Sequence, residues 1–94
     1  MITVEEIIND IEQQIYRGNK DTLIYELEEN HELVIEVLVS NYSDELEIGV
    51  TWRESDANGV YKEYENSVCD YNDLFELKTS IEYVLQCYRD RDKI

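Results

Sequence analysis

Proline is absent from this 94-residue chain, glycine occurs three times, and only eight residues are basic against 23 acids. The first two absences argue against a linker or low-complexity segment, which would be rich in those residues. The third argues against direct binding to DNA or RNA, whose phosphates demand clustered lysine and arginine. No run approaches the ~18 consecutive apolar residues of a membrane span, and the N-terminus lacks the basic, apolar, small-residue order of a secretory signal, so a cytoplasmic location without membrane contact is expected. Cysteine occurs twice, as Cys69 and Cys87, with no CxxC or Cys/His spacing. Reduced thiols are expected rather than a disulfide.

Catalytic vocabulary is equally sparse. His31 is the one histidine and follows Glu28, Glu29 and Asn30, where a polar loop residue is expected. There is no serine elbow, glycine-rich phosphate loop or HExxH, so neither an enzyme nor a cofactor is expected. Glu54-x-Asp56-x-Asn58-Gly59-x5-Glu65 matches the register of an EF-hand loop. Its first position is Glu, its ninth is Lys62, and its flanks alternate like strands, so it reads as a hairpin and not as a calcium site. Neither cysteine has the basic neighbour that a reactive thiolate needs.

What the chain does have is apolar residues, 43% of the total, including eight tyrosines. They recur in periodic runs, which excludes an acidic disordered tail and points to one domain spanning 1–94. Thr3 and Glu6 form a capping box ahead of Val4, Ile7, Ile8, Ile11 and Ile15, an amphipathic stripe that predicts a helix from Thr3 to about Arg17, stopped at Gly18. Asp73 and Glu76 open a second helix with Leu74, Leu77, Ile81, Leu85 and Tyr88 on one face and Arg89, Arg91 and Lys93 at its end. Between them the period is two. Strands are predicted over His31 to Tyr42 (Leu33, Ile35, Val37, Val39 against Val34, Glu36, Leu38, Ser40), Glu45 to Arg53 (Leu46, Ile48, Val50, Trp52 inward) and Val60 to Val68, with Thr22 to Glu28 as a further candidate. The expected architecture is α+β: an N-terminal helix, an antiparallel meander of three or four strands and a C-terminal helix, both helices on one sheet face.

Charge is the remaining signal. Of the net −15, the segment from Asp21 to Glu76 contributes 16 acids against only Arg53 and Lys62. Such repulsion opposes compaction, and about 2 to 8 units suffice for solubility. With the apolar face of the sheet under the helices, Glu36, Asp44, Glu45, Glu47, Glu54, Asp56, Glu63 and Glu65 are expected to point outward. Alternate strand residues stand roughly 6.7 Å apart, about the axial distance of two phosphates on one DNA strand. Tyr61, Tyr64 and Tyr71 among Glu63, Glu65, Asp70 and Asp73 add rigid contact area of the kind enriched at interface hot spots. The expected partner surface is therefore Glu45, Glu47, Glu54, Asp56, Tyr61, Glu63, Glu65, Asp70, Tyr71 and Asp73, and reversing charge at Glu63, Glu65, Asp70 and Asp73 is expected to abolish binding.

A small, strongly acidic chain with this element order and the stretch from Glu63-Tyr64-Glu65 to Asp70-Tyr71-Asn72-Asp73 resembles the phage-encoded anti-CRISPR proteins that block Cas9. The resemblance implies occupation of the basic pocket in which Cas9 reads the PAM. Another nuclease, a restriction enzyme or a repair glycosylase presents an equally suitable groove. The alternative is an immunity-type or regulatory module that binds a basic partner away from its nucleic-acid site. Either a monomer or a homodimer is compatible, the latter through a sheet edge or the strand from Glu45 to Arg53.

Overall fold

The computed structural model describes residues 2–19, 21–39 and 45–91. Helix α1 (Val4–Tyr16) begins at Thr3, whose hydroxyl accepts from the Glu6 amide at 3.2 Å, and ends before Gly18, whose φ of 72° an L side chain rarely adopts. Strands β1 (Leu23–Glu28), β2 (His31–Val39), β3 (Leu46–Ser55) and β4 (Tyr61–Asp70) follow, and helix α2 (Leu74–Asp90) closes the chain. The strands form one antiparallel sheet in the order β1-β2-β3-β4. Thr22 to Glu28 thus supplies a true fourth strand. The expected extension of β2 through Ser40 to Tyr42, together with Asp44 and Lys93, lies outside the described residues. Among the described residues no helix is long and apolar enough to cross a membrane.

Both helices cover the same sheet face. Ile7 and Ile11 of α1 and Leu77, Ile81, Val84 and Leu85 of α2 close over Leu33, Ile35, Ile48, Val50, Trp52 and Cys69 in one core. Removing each such aliphatic side chain from water contributes about 1.5–3 kcal/mol before chain entropy is charged against it. Leu74 departs from its expected place and is 58% exposed on the flank of α2, while Ser80 and Val84 take the buried positions. Ser80 is admitted because its hydroxyl donates to Ser67 Oγ at 2.6 Å.

The hairpin expected within Glu54 to Glu65 is present as the β3–β4 turn. Only Gly59 has positive φ, the Gly59 amide donates to Asp56 O and the Asp56 amide to Val60 O, giving the longer loop that pairs a type I turn with a left-handed glycine. The strand from Glu45 to Arg53 is interior to the sheet as β3, flanked by β2 and β4, so its edge is not free to pair across a dimer.

The end of α2 is tied to β1 by one carboxylate. Tyr88 Oη donates to Glu28 Oε1 at 2.5 Å, Arg91 pairs with the same oxygen, and the Arg91 guanidinium lies 4.1 Å from the centre of the Tyr88 ring. The Tyr88 hydrogen bond, helped by Arg91, holds the Glu28 carboxyl below its ordinary value of 4.5. A depressed carboxyl stabilises the fold above its unfolded pKa, and that contribution is lost as pH falls through the folded value. Tyr88→Phe should therefore raise the Glu28 pKa toward 4.5 in a carboxyl-detected NMR titration and move the acid limb of the stability curve to higher pH. An unmoved Glu28 titration would show that this tether is not what holds the carboxyl ionised.

Candidate protein-binding face

Because the helices occupy one side of the sheet, the other is open, and the strand register determines its pattern. Glu26, Glu32 and Arg53 are paired in turn across β1, β2 and β3, and Arg53 is opposite Glu63 of β4. At the other end, Leu38, Glu47 and Asp70 form a second row, and Glu36 lies between the two. Directly paired residues share a face, so among the described residues of the paired strands this side carries six carboxylates and one guanidinium. That guanidinium is already engaged: Arg53 Nε is 3.4 Å from Glu32 Oε1 and Arg53 Cζ stands 3.8 Å from the Tyr61 ring centre. Glu26 opposite Glu32 and Glu47 opposite Asp70 are like-charged cross-strand pairs, which weaken a sheet. The face is built with repulsion in place.

Between the acidic rows lies an apolar strip. Ile24 of β1 pairs with Val34 of β2, and Val68 of β4 is opposite Gly49 of β3, with Glu36 across Gly49 from it and Leu38 of the second row closing the strip. Ile24 is 51% and Val68 50% exposed, whereas Val34 in the middle is 3% exposed. Gly49 and Thr51 are the β3 residues at this level, and a Cβ at Gly49 would meet Leu38 Cδ1 at 3.4 Å, so the strip is shallow at its centre. The two acidic rows are separated by three two-residue steps, roughly 20 Å.

The residues expected at the partner surface do not gather in one place. Glu47, Tyr61, Glu63 and Asp70 lie on the open face. Glu45 is exposed immediately ahead of β3. Glu54 instead pairs with His31 Nε2 at 2.9 Å at the end of the sheet. The Asp56 carboxylate accepts the Asn58 and Val60 amides within the turn, and Asp73 is the N-cap of α2, accepting from Glu76 at 3.0 Å. Tyr71 packs against the core.

Glu65 is the clearest correction. A bulge where β4 passes Trp52 and Arg53 leaves Tyr64 as the extra residue, and Glu65 pairs with Trp52 on the helix side. There it accepts from Tyr83 Oη at 3.4 Å and contacts Cys87 Sγ at 3.8 Å, so it does not point outward. Tyr64, brought to the same side, stacks on Trp52 with centroids 4.7 Å apart.

His31 is likewise no loop residue. It opens β2, accepts from Trp52 Nε1 through Nδ1 at 3.1 Å, and lies against the rings of Trp52, Tyr64 and Tyr88. Cys69 is buried beneath α2, and burial pushes its thiol up, away from the reactive thiolate. Sequence reasoning passed over Glu26 and Glu32. The signal lay in the Glu29-Asn30 turn, where Asn30 takes a φ of 70° and β1 and β2 are folded into register.

No protein-family model matches this chain, and neither a curated protein nor a solved structure matches it.

Proposed function

We propose that this chain is a non-catalytic inhibitor that mimics nucleic acid and occupies the basic groove of a nucleic-acid enzyme, a CRISPR nuclease of the Cas9 type being the target class its resemblance implies. The observation that carries the reading is the open sheet face, where, among the described residues, six carboxylates are arrayed around a single arginine that is ion-paired with Glu32 and set against the Tyr61 ring. A surface of one sign steers a basic partner and raises its association rate. Retaining two like-charged cross-strand pairs costs stability that a surface selected for folding alone would not retain.

The mimicry differs in form from a ladder along one strand. On β3 the outward positions run Glu47, Gly49, Thr51, Arg53, so acids adjoin across neighbouring strands, about 4.8 Å apart, and not along them. The apolar strip of Ile24, Val34, Leu38 and Val68 favours a second reading. A module that docks on a basic protein away from its nucleic-acid groove would use such a strip as its dry centre and the acids as its rim.

Competition separates the two. The chain is immobilised and exposed to purified Cas9 and to lysates, with and without nuclease treatment and added competitor DNA. Capture of a basic nuclease that DNA displaces supports mimicry. Capture that is indifferent to DNA transfers the proposal to the exosite module, and failure to bind any nucleic-acid enzyme sinks both.

A further inference from the structure

The sheet has a second unpartnered feature at right angles to the open face. Strand β4 is the last of the sheet, and its pairing is phased by the Tyr71 amide, which donates to Leu46 O at 3.0 Å. In an antiparallel pair, alternate residues direct both backbone groups at the neighbour. Cys69, Ser67 and Glu65 therefore face β3, while Asn66 and Val68 direct their amides and carbonyls, and Asp70 its amide, away from the sheet; the Asp70 carbonyl accepts from the Asp73 amide at 3.3 Å. The Asn66 amide donates to the Glu65 carboxylate at 3.2 Å, a side-chain oxygen standing where a neighbouring strand would supply a carbonyl.

Beside this edge runs a cleft of about 220 Å³ between β4 and α2. It exists because small side chains face one another: Ser67 and Cys69 from the strand, Thr79 and Ser80 from the helix, with Tyr83 and Glu76 on the helix side of the rim. An open strand edge next to a cleft that receives alternate side chains is the arrangement by which extended peptides are recognised through strand addition. An added strand that sends one set of alternate side chains into the cleft turns the other set toward the open face, where β4 carries Glu63 and Asp70, so that second set is basic. A second copy, itself carrying a net charge of −15, is disfavoured at this edge.

We propose that the β4 edge accepts an extended segment of a partner, alternating basic and aliphatic residues, as a fifth strand. Its backbone pairs with Asn66, Val68 and Asp70. Its aliphatic side chains enter the cleft over Cys69 and Thr79, and its bases, on the opposite face of the added strand, meet Asp70 and Glu63. This goes beyond nucleic-acid mimicry and stands or falls without it, since the DNA competition above plays no part in the test.

The test is an NMR titration of the ¹⁵N-labelled full chain with a capped peptide of alternating lysine and valine. Saturable shifts and slowed hydrogen exchange at Asn66, Val68 and Asp70 are expected, and a peptide N-methylated on its valines should not bind. Val68→Pro removes one outward amide at an edge position that tolerates proline, and binding should weaken by at least about tenfold, the effect of losing ~1.4 kcal/mol. Thr79→Arg, on an exposed helix position, fills the cleft and excludes the valines, with the same expected loss; it carries the test if Val68→Pro does not fold. Shifts confined to the open face around Glu26, Glu36 and Glu47, equal binding of the N-methylated peptide, or undiminished binding by Thr79→Arg would each overturn the proposal.

Discussion

Replacing Glu26, Glu36, Glu47 and Glu63 together by lysine should weaken partner binding by at least ~10³-fold, about 4 kcal/mol, while the variant melts no lower than the native chain. All four lie on the open face. None is among the carboxylates that cap a turn or helix, as Asp56, Asp70 and Asp73 do. Four reversals of two units each bring the net charge from −15 to −7, lowering self-repulsion. Glu26→Lys and Glu47→Lys also convert the repulsive pairs with Glu32 and Asp70 into attractive ones, while Glu63→Lys sets a like charge opposite Arg53, so the exchange nets one favourable pair, worth roughly 0.2–1 kcal/mol. Loss of a well-matched charge pair at an interface costs about 2–5 kcal/mol, so four reversals leave ample margin for the expected loss. Isothermal titration and thermal melts at low salt read both quantities. A variant that binds as before would remove the open face from consideration. One that binds weakly because it has unfolded would show that the acids stabilise the sheet, contrary to the cross-strand reading.

This set differs from the one suggested by the sequence, and the difference is instructive. Reversing Glu63, Glu65, Asp70 and Asp73 would strike two caps and a carboxylate under α2, so lost binding could not be separated from lost structure. Local signals were dependable where chemistry and spacing coincide. Thr3 caps α1, Asp73 caps α2, and Leu46, Ile48, Val50 and Trp52 alternate inward with no bulge opposite them until Arg53. Strand β4 defeated the same logic because its inward residues, Glu65, Ser67 and Cys69, are less apolar than the outward Val68. The bulge at Tyr64 then shifts the alternation by one residue, and every residue beyond it changes face relative to a simple period of two. The rows of the open face were beyond local reading for a different reason: Glu26, Glu32 and Glu63 are brought together by register between strands, which no window along the chain reports.

The fold supports this open face from beneath, and Trp52 is where that support concentrates. Trp52→Ala should cost about 3–5 kcal/mol, as removal of a buried aromatic does. A domain of this length has on the order of 5–14 kcal/mol in total, so the variant should be partly unfolded at ambient temperature or close to it. Trp52 is 5% exposed, stacked on Tyr64 at 4.7 Å and set edge-on to Tyr88 at 5.5 Å, contacts worth more than their buried area alone. Its indole N–H donates to His31 Nδ1, so the truncation also leaves that nitrogen without its donor in a ring cluster. Because Arg53 follows Trp52 in β3 and the β4 bulge is built around both, losing the indole should also loosen the pairing that sets Glu63 beside Arg53. Trp52→Phe keeps most of the ring packing and gives up the hydrogen bond, and it should lose roughly 1 kcal/mol. Urea unfolding followed by circular dichroism reads the series, since the only tryptophan is the residue removed. If Trp52→Ala proves no less stable than Trp52→Phe, the aromatic cluster is not what holds this end of the sheet, and its support must come from the Glu28, Tyr88 and Arg91 tether instead.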